Sequence, residues 1–127
     1  MIDIRVNGVG NYELLSDVSV SVNGWNITVY KGFTWDGASI PKSLWSEVGC
    51  PIDYAVESLV HDALYRTNLL SKDIADDILY SLLVSNGVSD VIANAMYLAV
   101  SVAGYDAYNG ANMKSHYRNY VSVEKSE

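Results

Sequence analysis

A histidine and an aspartate stand next to each other at His61 and Asp62, in a segment whose apolar residues recur with helical spacing. A further acid, Asp76, occurs in a second segment of the same periodicity. An imidazole that is hydrogen-bonded to a carboxylate is a common general base for activating water. His61 and Asp76 therefore predict such a base, and Asp62 is then free to bind a hard cation or to orient water.

Helical geometry places Asp76 where a carboxylate needs a partner. On its predicted helix Asp76 projects close to Leu79, towards the interior, whereas Asp77 projects outward. The connection over residues 68–71 is short, which makes the two helices antiparallel neighbours. His61 then lies within hydrogen-bond reach of Asp76, and this bond would fix the tautomer of the imidazole and raise its basicity.

The same residues allow structural interpretations, which the sequence leaves open. A His61–Asp76 pair between packed helices can be a polar bridge without catalytic function. Asp62 and Arg66 have the i,i+4 spacing of an ion pair, which contributes only about 0.3–0.5 kcal/mol when it is exposed. Tyr65 shares a helix face with His61 and can be a packed ring whose hydroxyl is hydrated.

A second candidate segment is the loop over residues 32–41, which contains Asp36 followed by Gly37. Glycine permits a backbone turn with positive φ, and aspartate before glycine is a common turn residue. Asp36 and the carbonyl groups of this loop can complete a cation site with Asp62. The alternative is a plain connection from strand to helix. Ser39 is not favoured as a nucleophile, because no nucleophile-elbow sequence surrounds it.

Composition excludes several classes of protein. The 127 residues contain 15 acids and 8 bases, a net charge of −7, which argues against binding to nucleic acid. The single Cys50 excludes an internal disulfide and a cysteine-rich zinc site. The N-terminal residues lack the basic and apolar regions of a signal peptide, and no apolar stretch reaches the roughly 20 residues of a transmembrane span. We expect a soluble protein.

The pattern along the chain predicts an α+β fold, with a small antiparallel N-terminal sheet packed on three or four C-terminal helices. Residues 1–40 alternate with period two and are predicted to form a strand meander with a hairpin turn at Asn23-Gly24. Residues 41–104 are predicted to be helical, with helices over 53–67, 72–85 and 90–104. The Tyr-rich tail over 105–120 is expected to pack back on this single domain, residues 1–120, and residues 121–127 are expected to be loose.

Several of these segments together resemble a family of small uncharacterised proteins that occur largely in bacteriophages and prophages. The resemblance covers residues 11–104 and implies a phage origin, without implying an activity. The residues that carry it are the run Gly32-Phe33-Thr34-Trp35-Asp36-Gly37-Ala38-Ser39-Ile40-Pro41, then Leu44-Trp45, His61-Asp62-Ala63-Leu64-Tyr65-Arg66, Ala75-Asp76 and Met96-Tyr97.

The order His61-Asp62-x-x-Tyr65, followed by Asp76, is similar to the catalytic pattern of secreted and parvoviral phospholipases A. That similarity implies His61 as the base, Asp62 as a calcium ligand, Asp76 as the orienting carboxylate and Tyr65 as a supporting hydrogen-bond donor. Calcium is then the favoured ion and zinc is less favoured. The glycine-rich calcium loop of those enzymes has only the Asp36-Gly37 segment as its counterpart.

Two hypotheses follow from the sequence. In the first, the protein is a metal-assisted hydrolase that acts on a lipid, a component of the cell envelope or another ester. In the second, it is a phage accessory or virion protein that binds a phage or host protein, and the polar residues around His61 are structural. Either protein would act in the host cytoplasm or in the virion.

Overall fold

Within the described residues, six short strands form two separate three-stranded antiparallel sheets. The computed structural model describes residues 2–8, 11–37, 40, 42–49, 51–110 and 115–126. Ser39 and Cys50 therefore lie outside the described residues. The strands are β1 (Ile4–Gly8), β2 (Asn11–Leu14), β3 (Val18–Val22), β4 (Trp25–Val29), β5 (Thr34–Trp35) and β6 (Val121–Lys125).

The order of the strands is β1-β2-β5 in one sheet and β3-β4-β6 in the other. The predicted turn between β3 and β4 is present, with φ of 52° at Asn23 and 83° at Gly24. Both central residues of a two-residue hairpin turn of this kind need positive φ, which asparagine and glycine adopt most easily. The strands expected from the first 40 residues thus do not form one meander, because β3 and β4 form a separate sheet in which β4 pairs with β6, near the end of the chain.

The expectation of a loose C-terminus is wrong for the residues of β6. Val121–Lys125 pairs antiparallel with β4, and Val123 lies opposite Ile27. Val121 and Val123 alternate with polar residues, so one face of the strand is apolar and packs on the core. The edge of β4 needs a partner for its backbone groups, and the last strand supplies one.

In the described part of the chain, five α-helices lie between β5 and β6: α1 (Trp45–Val48), α2 (Ala55–Thr67), α3 (Lys72–Ser85), α4 (Asp90–Ala103) and α5 (Tyr105–Gly110). The chain is therefore an α+β protein. The bounds of α3 are those predicted, because the hydroxyl of Ser71 accepts a hydrogen bond from the amide of Ile74. The hydroxyl of Ser89 caps α4 in the same way.

Helix α2 lies at the centre of the fold and contributes to both of the larger apolar clusters. Its Leu59 and Ala63 pack with residues of β2 and β5, and its Val60 and Leu64 pack with residues of α3. Within the Tyr-rich tail, Tyr108 and Tyr117 also pack against these clusters. No helix in the described part of the chain is both long enough and apolar enough to cross a lipid bilayer.

The unusual property of α2 is that it buries polar side chains as well as apolar ones. Glu57, Ser58, His61, Asp62 and Thr67 are all at most 6% exposed. Burial of a polar group is unfavourable unless it forms hydrogen bonds, so the neighbouring elements must supply partners for each of them. These partners define the candidate site.

Candidate functional site

The predicted contact between His61 and Asp76 is present. The Nε2 atom of His61 lies 2.8 Å from Oδ1 of Asp76, and the two side chains are 0% and 2% exposed. The antiparallel packing of α2 and α3 brings them together, as the short connection over residues 68–71 predicts. When Asp76 is ionised, Nε2 carries the proton of this bond and Nδ1 is the basic nitrogen of the neutral ring.

Asp76 also accepts hydrogen bonds from two further side chains. The hydroxyl of Tyr65 donates to the same Oδ1 atom at 2.6 Å, and the ammonium of Lys72 donates to Oδ2 at 2.8 Å. The ring of Tyr65 packs on His61, with 4.1 Å between the ring centroids. His61, Tyr65, Lys72 and Asp76 together are called the buried polar cluster below.

Lys72 is the member of this cluster that sequence reasoning missed. Its ammonium also donates to the carbonyl groups of Val100 at 2.9 Å and Ser101 at 3.2 Å, in the last turn of α4. All three of its N–H donors therefore have an acceptor, at a helix end whose carbonyl groups favour a positive charge. The signal in the sequence was the i,i+4 spacing of Lys72 and Asp76, which places a base and an acid on one face of α3.

The electrostatics of the cluster favour an ionised Asp76. Burial by itself would raise the pKa of this carboxyl, but the hydrogen bonds from His61, Lys72 and Tyr65 outweigh it and lower the pKa below its usual value. Burial raises the pKa of Tyr65, and its hydrogen bond to Asp76 raises it further, so this phenol stays protonated and donates. The cluster thus contains a carboxylate held in place by three donors.

A glycine makes room for the hydroxyl of Tyr65. A Cβ atom at Gly104 would lie 2.7 Å from that hydroxyl and closer still to the carbonyl oxygen of Val100. Both distances are shorter than real Cβ contacts, and a backbone carbonyl cannot move aside easily. Gly104, just after α4, therefore allows the chain to pass close to the cluster.

We expect Gly104→Ala to lower the free energy of unfolding by about 1–3 kcal/mol, the range for overpacking a filled interior. Urea unfolding measures this change. Gly110→Ala is the matched control, because a Cβ atom there meets no atom within 4 Å. Equal stability of the two variants would show that Gly104 is not needed for the packing of Tyr65.

The two proposed metal ligands lie near one loop, and each is engaged by a donor. The backbone amide of Gly37 donates to Oδ2 of Asp62 at 2.8 Å. The carboxylate of Asp36 is 47% exposed and lies 3.1 Å from the guanidinium of Arg66. Arg66 also donates to the hydroxyl of Tyr117 at 2.8 Å. The structure thus pairs Arg66 with Asp36, and Asp62 is buried, at 3% exposure.

Among the described residues, both proposed calcium ligands are engaged by nitrogen donors. Calcium takes six to eight oxygen ligands, whereas the loop presents an N–H group to Asp62 and an arginine holds Asp36. The described residues contain no group of three or more His, Cys, Asp or Glu side chains that could hold a metal ion. What the site does provide is a buried histidine whose Nε2 atom is hydrogen-bonded to a carboxylate.

Comparisons with known proteins match most of the chain, including this region. Residues 12–100, which include the whole buried polar cluster, match the family described as "Protein of unknown function (DUF1353)". The chain is 37% identical over 98 residues to the uncharacterized protein y4jT of Sinorhizobium fredii, strain NBRC 101917 / NGR234. That match covers 75% of this chain and 29% of the relative, so this chain spans less than a third of its length. No solved structure matches the chain.

Proposed function

This chain belongs to the DUF1353 family of proteins of unknown function, and we propose that it is a hydrolase whose general base is His61. The observation that carries the proposal is the 2.8 Å hydrogen bond between Nε2 of His61 and Asp76. An oriented imidazole that is hydrogen-bonded to a carboxylate is a common arrangement for general-base catalysis. The substrate class that we propose is a lipid or another carboxylic ester.

In the proposed reaction, Nδ1 of His61 accepts a proton from water while the water oxygen attacks the ester carbonyl carbon. The resulting tetrahedral intermediate collapses, the bond to the alkoxy oxygen breaks, and the imidazolium returns the proton to the leaving alcohol. Asp76 stabilises the imidazolium without taking its proton, as the carboxylate does in other histidine-based hydrolases. Tyr65 and Lys72 touch no reacting atom, and they position Asp76.

Access to the imidazole is the structural requirement of this mechanism. The side chain of His61 is 0% exposed, and the ring of Tyr65 lies against it. Water and an ester can reach Nδ1 only if the packing around the ring opens. Catalysis by His61 therefore requires a conformational step before the chemical one, as in enzymes whose sites open to admit substrate.

The test is ester hydrolysis by wild type, His61→Gln and His116→Gln, with nitrophenyl esters of increasing chain length and with phospholipid vesicles. Glutamine at position 61 keeps an N–H donor for Asp76 but has no basic nitrogen. We expect His61→Gln to lose at least about 100-fold in turnover, the range for removal of a general base. His116 is exposed, so its variant is the matched control and should retain wild-type turnover.

Circular dichroism and a thermal melt of each variant separate loss of chemistry from loss of fold. Wild-type protein that hydrolyses none of these esters, or a His61→Gln variant with undiminished turnover, would contradict the proposal. The substrate series also shows which acyl chain length the protein prefers. If the natural substrate is a lipid, turnover should rise with the length of the acyl chain.

Calcium at Asp62 and Asp36 stays a prediction of the sequence, and no step above depends on it. From the engaged carboxylates we expect the same melting temperature with calcium, magnesium, zinc or a chelator. Binding to the native state alone would add roughly 2.7 kcal/mol of stability at a hundredfold excess over Kd. A calcium-dependent rise in wild type that is absent in Asp62→Asn would establish the metal site and contradict our expectation.

A second candidate is a non-enzymatic phage or virion protein that binds a phage or host partner. The complete burial of His61 and the saturated hydrogen bonds of Lys72 favour it, because a closed network of this kind can serve as a structural bridge between helices. The same assay distinguishes the candidates. If the cluster is a structural bridge, His61→Gln lowers the melting temperature, and the wild-type protein shows no esterase activity.

A further inference from the structure

A concave site that shares no residue with the buried polar cluster lies where α3, α4 and the turn between β3 and β4 meet. Its volume is about 430 Å³, within the range of roughly 300–1,000 Å³ for small-molecule sites. It is lined by Asn23, Asp77, Tyr80, Ser81, Asn94 and Tyr97. We call it the tyrosine pocket.

Two aromatic rings form a corner of the tyrosine pocket. The rings of Tyr80 on α3 and Tyr97 on α4 are 5.9 Å apart between centroids and are inclined at 74°. The face of an aromatic ring carries negative electrostatic potential, and cations bind over it. The two tyrosines lie together beside a carboxylate, and their ring faces offer a surface that a quaternary ammonium group can contact.

The charge of the residues that line the tyrosine pocket also favours a cation. Asp77 is the charged residue among the six lining residues, and no lysine, arginine or histidine accompanies it there. The negative charge of the Asp77 carboxylate raises the pKa of Tyr97. The protein as a whole carries a net charge of −7, which attracts cations from a distance.

We propose that the tyrosine pocket binds a small organic ammonium ion, with Tyr80 and Tyr97 contacting its methyl groups and Asp77 neutralising its charge. An anion would meet a carboxylate without a compensating base. A neutral polyol can donate hydrogen bonds to Asp77, but it lacks the charge attraction to the carboxylate and the cation–π attraction to the rings. A quaternary ammonium ion satisfies both the rings and the carboxylate.

The experiment is a calorimetric titration of the whole chain with choline chloride and, separately, with 3,3-dimethylbutan-1-ol. The second compound has the shape of choline but carries no charge. We expect choline to bind at least about tenfold more tightly than its neutral analogue, since cation–π attraction and the carboxylate act on the charged ligand alone. Glucose is the third probe and tests for a site for neutral polyols.

Variants assign the binding to the pocket. Asp77→Asn and Tyr80→Leu should each weaken choline binding by about tenfold, whereas Asp106→Asn, an exposed acid on α5, should leave it unchanged. A thermal melt confirms that each variant is folded. The proposal is overturned if choline and its neutral analogue bind equally, if glucose binds and choline does not, or if Asp77→Asn binds choline like wild type.

Discussion

Replacing Asp76 with asparagine is expected to lower the free energy of unfolding by about 3–5 kcal/mol, the range for removing one partner of a buried ion pair. The carboxylate accepts hydrogen bonds from His61, Tyr65 and Lys72. An asparagine has one oxygen for these three donors. In addition, the N–H groups of its amide would face either the ammonium of Lys72 or the donors of His61 and Tyr65, and neither arrangement forms a hydrogen bond.

Urea unfolding of wild type and variant measures this change, and Asp77→Asn is the matched control. Asp77 is the next residue on α3 but is exposed, so we expect its replacement to change stability by about 0.5 kcal/mol or less. A loss at Asp76 no larger than the loss at Asp77 would contradict the structure of the cluster.

The pH dependence gives an independent check on the same residue. The pKa of Asp76 is lowered in the folded protein. The ionised carboxylate therefore contributes stability at pH values above its ordinary pKa of 3.8. This contribution is lost as the pH falls from about 4 through the folded-state pKa. The difference in stability between wild type and Asp76→Asn should therefore be largest near neutral pH and should narrow in acid.

Replacing Lys72 with methionine is expected to lower the free energy of unfolding by about 3 kcal/mol. Methionine keeps most of the apolar stem of lysine but removes its charge and its three donors. Asp76 would then be a buried anion without a positive partner, and the carbonyl groups of Val100 and Ser101 would each lose a donor. Lys42→Met is the control, because Lys42 is exposed.

A double-mutant cycle tests whether Lys72 acts through Asp76. In the Asp76→Asn background, Lys72→Met should be less harmful than in wild type, because the charge that it neutralised is already absent. We expect a coupling free energy of at least about 1 kcal/mol, as for residues in one hydrogen-bond network. Additive effects would mean that Lys72 stabilises the fold through the carbonyl groups of α4 alone.

The helices were predictable because their signals are local. Ser71 and Ser89 each precede an apolar run of helical period, and both cap a helix that starts at the next residue. The contact between His61 and Asp76 followed from the same information, since a short connection fixes two helices as antiparallel neighbours. Local sequence patterns therefore predict both the helices and the His61–Asp76 pair of the candidate site.

The sheets were less predictable because their pairing depends on residues far apart in the chain. The turn at Asn23-Gly24 marks β3 and β4, but nothing local says that β4 pairs with Val121–Lys125. A terminal segment with only two alternating valines resembles a loose tail until the partner strand is known. Strand pairing is set by the apolar face that the whole fold buries, which no short window contains.

By itself, the sequence determined the class of fold, the helices from α2 to α4 and the position of His61 opposite Asp76. Only the tertiary structure placed Lys72 between Asp76 and the end of α4, Gly104 against Tyr65, and Gly37 on Asp62. The first group depends on helical period, capping and one short connection, which act over a few residues. The second depends on close approach between separate elements, and the packing of the complete core alone sets those distances.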